Sequence, residues 1–239
     1  MNTNSVTREA LSACKWALQY RKQSPIKPEI YFLEWQNQSL CVKDFSRCSN
    51  FVRSTIGRWI VNKEAYVLDA LEEIAGVPKL TGVIDGPALV MERLDASSLP
   101  KPPSPRPAPD TPLHKSTLTP NFFNETSILL ATLHDNGITH GDIHSNNLLV
   151  HGDGRPLFID FAAAVIRGKK ASRLKCWAWR TMVRIDQISV VNLRQKHFPD
   201  HPLTSEEAAL LETQPKIYLL HNKLRVNFLR PIKRFFRSV

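Results

Sequence analysis

Between His140 and Ala164 the chain reads HGDIHSNNLLVHGDGRPLFIDFAAA. Two short apolar runs, NLLV and PLFIDF, flank the turn sequence HGDGR, and together they read as a β-hairpin. His140, Asp142 and Asn147 gather at the start of the first strand, and Asp160 stands near the end of the second. Carboxylates and an amide at such rims can hold a metal ion or move a proton, and they can equally be turn and strand-end residues. A helix precedes them: Thr119 suits its N-cap, Pro120 its first position and Gly137 the residue beyond its end. Its apolar residues Phe122, Leu129, Leu130 and Leu133 are expected to face a core. A fold for this chain must therefore set a buried helix before a hairpin with a polar rim.

The first half reads as strands and one helix. EIYFLEW (Glu29–Trp35), a QNQ turn and SLCVKDF (Ser39–Phe45) form a second expected hairpin. KWALQY (Lys15–Tyr20) is either an earlier strand or the end of an N-terminal helix that starts near Thr7. Ser54–Ala75 reads as a helix, capped by Ser54 or Thr55 and closed by Gly76. Ile60, Val67, Leu68, Leu71 and Ile74 make one apolar stripe. Glu64 lies inside that stripe, whereas Glu73 lies opposite. A carboxylate on a core face is costly unless a cation or donors meet it, so Glu64 demands a buried partner. ALVMERL (Ala88–Leu94) reads as a further strand. Helices are expected from Trp177 onward, including TSEEAALLE, where Thr204 and Glu207 have capping-box spacing.

Length and composition narrow the class. The 239 residues suffice for one large domain or two small lobes around a cleft. The four cysteines are scattered without a CxxC pair, which suits a reducing compartment. The first residues lack the apolar run of a signal peptide, and no stretch nears the roughly 20 apolar residues that span a bilayer. A cytoplasmic protein is expected. The net charge of +10 is concentrated in two acid-free stretches, one from Phe161 to Ile185 and one after Glu212. They suit an acidic or phosphorylated partner, anionic lipid or nucleic acid, or simply a solvated surface. No nucleic-acid-binding signature accompanies the charge, so that class is disfavoured.

A strand bearing Lys43, a helix with inward Glu64, and the rim residues Asp142, Asn147 and Asp160 are the parts that phosphoryl transfer needs. A lysine holds the phosphates of ATP and a glutamate holds the lysine. One carboxylate takes the acceptor proton, while an amide and a second carboxylate hold magnesium. In order and spacing the chain resembles the protein-kinase-like superfamily over roughly residues 15–193. VKDF (Val42–Phe45) resembles the strand with the ATP lysine, and Glu64 in NKEAYVLDAL the helix glutamate that pairs with it. HGDIHSNN resembles the catalytic loop, with Asp142 as base and Asn147 as metal ligand. IDFA (Ile159–Ala162) resembles the metal-binding DFG element. MERL occupies the hinge position, so the resemblance assigns the adenine contact to the backbone of Glu92 and Leu94. Asp186, in RIDQISVVNL, matches the aspartate that braces the catalytic loop, with a helix-surface aspartate as the alternative.

The departures are specific. No glycine-rich loop precedes Lys43; if KWALQY is the first strand, RKQSPIKP (Arg21–Pro28) takes that place, with Arg21, Lys22 or Ser24 near phosphate or the loop simply basic and exposed. Gly141 replaces the arginine of many protein kinases, so control by a phosphorylated activation loop is not expected. Ala162 replaces the third residue of DFG. His144 stands where a lysine is common and either touches the transferring phosphate or fills the loop. No APE-like motif follows Asp160, so the usual peptide platform is not recognisable.

The expectation is an α+β, two-lobed protein-kinase-like fold. A small β-rich N-lobe would span 1–94, a proline-rich connector 95–118, a reduced helical C-lobe 119–214 and a basic helix or tail 215–239. Within the superfamily the chain looks most like bacterial lipopolysaccharide kinases acting on Kdo or heptose sugars, and is also similar to RIO-like serine/threonine kinases. The resemblance implies ATP and Mg²⁺ as cofactors and a lipid-linked sugar as acceptor. The alternatives are a protein serine/threonine kinase and a nucleotide-binding pseudokinase without turnover. The tail, in which Phe235 and Phe236 alternate with Lys233, Arg234 and Arg237, would give peripheral contact with the anionic inner membrane, or be a frayed basic end.

Overall fold

Alternating side chains in three neighbouring segments build the first sheet. The computed structural model of the protein describes residues 7–11, 14–20, 26–100, 102, 118–168 and 172–214. β1 (Ala17–Tyr20), β2 (Glu29–Trp35), β3 (Gln38–Asp44), β4 (Leu80–Ile84) and β5 (Ala88–Glu92) form an antiparallel sheet in the order β1-β2-β3-β5-β4. The KWALQY segment is thus a strand. β2 and β3 are joined by two residues rather than three: Gln36 and Asn37 both have positive φ (48° and 61°), so β3 starts at Gln38. That pair of left-handed residues matches the twist of a tight hairpin. β4 was not expected from the sequence; Thr81 and Gly82 interrupt its apolar pattern, and its register with β5 shifts there.

One face of the sheet carries the cluster Leu33, Leu40, Val42, Ile84, Ala88 and Val90, with Leu11 packed on it. Successive strand side chains point to opposite faces, so Lys43 points away from this cluster.

The helix expected over Ser54–Ala75 is displaced. A π-helical turn covers Val52–Ile56 and α1 runs Gly57–Ala70. Ser54 and Thr55 do not cap it; their hydroxyls donate back to the carbonyls of Asn50 and Phe51 from inside the turn. Gly57 sits at the junction against Phe45, and a Cβ there would fall 2.9 Å from the Val52 carbonyl oxygen. At the other end the chain leaves α-helical geometry at Leu71 (φ −107°, ψ 13°) and turns through Gly76 at φ 99°. The inner face of α1 buries Val61, Glu64, Val67 and Leu68.

β6 (Ala96–Ser98) and β9 (Pro156–Phe158) lie where the chain passes between two compact units. The first unit comprises Met1–Ser97 with Leu157–Ala164, and the second Ser98–Pro156 with Val165–Val239. The fold is α+β, a sheet-based N-terminal unit and a largely helical second one, as the protein-kinase-like reading expects.

The second unit is built on α2 (Pro120–Asp135) and α3 (Arg173–His197), with β7 (Ile138–Thr139) paired to β10 (Val165–Ile166), β8 (Leu148–His151) and α4 (Ser205–Glu212). Phe122, Leu130 and Leu133 of α2 are buried, as is Phe123, but Leu129 is only half-buried. Thr119 is the N-cap residue of α2 without a side-chain bond, and α3 starts before Trp177 because Ser172 caps it. Thr204 and Glu207 form the expected capping box on α4. The proline-rich connector, the Arg21–Ser24 part of the loop before β2 and the basic tail lie outside the described residues, apart from the connector's ends.

Phe123 packs on His197, ring centroids 5.7 Å apart, and His197 Nε2 is buried without a hydrogen-bond partner. Burial, and then the nearby Lys196 charge, hold the imidazole below its ordinary value of 6.5. The folded chain therefore resists a proton that the unfolded chain accepts. Stability is full above that ordinary value and is lost as pH falls through the lowered one. Melting temperatures measured across this range should fall more steeply for the wild type than for His197→Phe; parallel profiles would show that His197 does not set the acid limit.

Candidate active site

In the first unit, β3 and α1 aim an ammonium and a carboxylate at each other. Lys43 and Glu64 are both buried, with 2.8 Å between Lys43 Nζ and Glu64 Oε2. The same ammonium lies 2.7 Å from Asp160 Oδ1. Glu64 Oε1 accepts the backbone N–H of Phe161 at 3.1 Å. The core-face glutamate thus has the cation and donor it requires, and both of its oxygens act as acceptors. Burial alone would lower the Lys43 pKa, but the charges of Glu64 and Asp160 overcome this and hold it above the usual lysine value. Burial also lifts the Glu64 carboxyl, opposed by Lys43. Asp160 itself has left-handed backbone geometry (φ 66°, ψ 73°), which aspartate tolerates better than most side chains. Its side chain stays 45 % exposed, while Phe161 behind it is fully buried.

Lys63 was not singled out in the sequence. Its ammonium donates to the Ala162 carbonyl at 3.0 Å and so ties α1 to the segment after Asp160. No sequence pattern marked it, because it is an ordinary cation on a helix whose basic and acidic residues balance, Arg58 and Lys63 against Glu64 and Asp69.

In the second unit, the HGDIHSNN segment follows α2 and β7 as a tight loop. Asp186 of α3 is 1 % exposed and accepts the backbone N–H groups of His140 (2.7 Å, on Oδ2) and Gly141 (2.8 Å, on Oδ1). His134 Nε2 meets the same carboxylate at 3.2 Å. Gly141 has φ +80°, a conformation that favours glycine and disfavours the arginine common at this position. The loop therefore bends sharply, pinned from below by one carboxylate. His134 went unnoticed in the sequence although it falls in the apolar register of α2, one residue after Leu133; a histidine there signals a buried partner.

The pinned loop presents its polar side chains in order. Asp142 is a third exposed, and its backbone N–H donates to His140 Nδ1 at 3.3 Å. Asn147 Nδ2 donates to the Asp142 carbonyl at 3.0 Å, which fixes the amide across the loop. His144 Nδ1 accepts the Asn146 N–H at 3.1 Å, leaving the proton of a neutral ring on Nε2, 3.5 Å from Asp142 Oδ2. Lys43, Glu64 and Asp160 are thus brought together in one unit, and Asp142, His144, Asn147 and Asp186 in the other. Glu92 ends β5, and its carboxylate accepts the Lys79 N–H at 3.2 Å. Leu94 lies just beyond that strand.

The RIO domain family matches residues 32–175, more than half of the chain and all of these positions except Asp186. The protein belongs to the RIO-domain family. RIO-domain proteins are protein-kinase-like enzymes, kinases and ATPases that act on ATP, typically with Mg²⁺. No curated protein matches the chain. For this RIO-domain protein, the residues described above fit both ligands. A permanently charged, buried ammonium suits phosphate oxygens. Magnesium is commonly held by one or two carboxylates together with phosphate oxygens and water, so it needs no dedicated protein cage. Among the described residues no group of three or more His, Cys, Asp and Glu side chains forms such a cage.

Proposed function

We propose that this RIO-domain protein transfers the γ-phosphoryl group of ATP to a serine or threonine hydroxyl of a protein. The observation that carries the reading is the buried Lys43 ammonium held between Glu64 and Asp160 at 2.8 and 2.7 Å. A buried cation with two carboxylates is over-neutralised, and ATP phosphates together with a metal ion would redistribute that charge. Lys43 then orients phosphate oxygens and Glu64 keeps Lys43 in place. Asn147 and Asp160 would hold Mg²⁺, which supplies neutralisation of the charge that develops on the phosphates. The acceptor oxygen forms a bond to the γ-phosphorus as the bond to the β–γ bridging oxygen breaks. Asp142 takes the hydroxyl proton, and ADP departs. His144 holds its Nε2–H toward Asp142 and so orients the base.

The RIO match supports the protein acceptor. A second reading keeps the chemistry and changes the acceptor to an acidic or phosphorylated one, such as a lipid-linked Kdo or heptose sugar. It is favoured by the basic run Arg167, Arg173, Lys175 and Arg180 and by the short path from Asp160 to α3, which carries no APE-like motif. Labelled ATP offered to a protein mixture and to core lipopolysaccharide side by side separates the two. Label on neither would favour a nucleotide-binding pseudokinase.

Asp160→Ala should lose the magnesium dependence of ATP binding while the fold persists, because the side chain is half-exposed. Titration of a fluorescent ATP analogue with and without Mg²⁺ reads this out. Identical curves for wild type and variant would make Asp160 a strand-end residue and remove it from the site.

A further inference from the structure

The outer face of the helix that carries Glu64 departs from an ordinary solvated face. Phe51, Ile56, Trp59 and Tyr66 are large apolar side chains, respectively 67, 45, 62 and 60 % exposed. Trp59, Lys63 and Tyr66 follow at four- and three-residue spacing and so share one side of α1. The Lys63 ammonium stands 5.1 Å from the Trp59 ring centroid. Arg53 and Arg58 add exposed cations to the same stretch, and Arg47, also exposed, is paired with Glu29 at 3.5 Å. Between Ser46 and Leu68 the only carboxylate is Glu64, which is buried and tied to Lys43. From Phe51 to Tyr66 the face therefore combines aromatic area and positive charge, and exposed Asp69, three residues after Tyr66, is the one carboxylate on the outer side of α1.

We propose that the outer face of the Val52–Ile56 turn and α1 is a peripheral docking surface for an anionic lipid membrane. Charge complementarity points to an anionic partner and disfavours a second copy of this chain, whose net charge is +10. The arrangement of the side chains points to lipid. Cations and aromatics alternate along the helix, whereas a protein interface gathers aromatics at its centre within a polar rim. Trp and Tyr rings, apolar in body and polar at one edge, settle at headgroup depth. Arginine forks meet lipid phosphates there. No described helix is long and apolar enough to cross a membrane, so the contact is one of surface attachment. The inner face of α1 is already occupied by its own unit, so docking needs no unfolding. This surface is distinct from the basic tail, and it does not depend on the phosphoryl-transfer reading.

The test is co-sedimentation of the full chain with vesicles of equal phosphatidylglycerol and phosphatidylcholine, and with phosphatidylcholine alone. Phe51→Ser combined with Trp59→Ser removes two exposed rings, and Arg53→Gln removes one exposed cation. Ile128→Ser, at a 67 % exposed position on α2, is the control for nonspecific apolar contact. The wild type should prefer the anionic vesicles. Arg53→Gln should weaken partitioning about fivefold, and the double variant about tenfold or more, with Ile128→Ser unchanged. Thermal melting of each variant confirms the fold. Absence of wild-type binding, equal binding to neutral vesicles, or undiminished binding of the double variant would each overturn the proposal. The last result would leave the face to a protein partner.

Discussion

Asp142→Asn is expected to bind ATP as the wild type does and to transfer phosphate about 10²–10⁴-fold more slowly. The amide has the shape of the carboxylate but cannot accept the hydroxyl proton. The test is informative because the substitution leaves several anchors of the loop in place, among them the Asp186 carboxylate beneath His140 and Gly141. The Asp142 N–H is anchored on His140 Nδ1 and its carbonyl by Asn147 Nδ2. Neither bond involves the carboxylate. His144 Nε2, 3.5 Å from Asp142 Oδ2, can donate to an amide oxygen as well as to a carboxylate. Single-turnover transfer and nucleotide binding, measured on the same preparation, separate chemistry from affinity. Near-normal transfer by the variant would take the base role away from Asp142.

Asp186→Ala should damage the same loop without changing any residue in it. Removing the carboxylate leaves the buried N–H groups of His140 and Gly141 without their acceptors, and His134 without its partner. Each orphaned buried donor costs about 1–3 kcal/mol, so a loss of roughly 3–5 kcal/mol is expected for the unit. Gly141 at φ +80° has little reason to hold its bend once its N–H is released. Phosphoryl transfer should fall with stability, and lowering the temperature should recover only part of it, because the loop geometry is lost even in the folded chain. Asp186→Asn should be milder, since one amide oxygen can still accept. Wild-type melting and transfer by Asp186→Ala would reduce Asp186 to the helix-surface residue that the sequence left as an alternative.

Much of the candidate site was legible because its chemistry conflicts with its local setting. Glu64 in an apolar stripe had to be met by a cation, and the structure supplies Lys43 together with the Phe161 N–H. The rim residues Asp142, Asn147 and Asp160 stood out by their order and spacing within the set, although each alone also read as a turn or strand-end residue. The capping box of α4 was readable because both partners lie within one turn. Readings that rested on a single residue's propensity fared worse. Ser54 and Thr55 look like caps, but their hydroxyls are taken by carbonyls of a π turn that no local rule announces. Leu129 follows the apolar pattern of α2 yet stays half-buried, while Phe123, outside the anticipated set, is enclosed with His197 and Phe198. β4 escaped notice because its pairing with β5, not its own composition, makes it a strand.

The sequence by itself determined which groups need partners. Periodicity and burial cost are local properties and single out Glu64, while the order and spacing of motifs that resemble kinase elements single out the polar loop around Asp142 and the DFG-like Asp160. Only the tertiary structure decided which partners they receive. Lys43 and Asp160 stand 117 residues apart in the chain, and Gly141 and Asp186 45. No local energy term acts over such separations; the sheet register that turns Lys43 toward α1, and the packing of α3 beneath the loop, bring them within hydrogen-bonding reach. The same holds for the outer face of α1. Its aromatic residues could have been core, and only the burial of the opposite face left them outside.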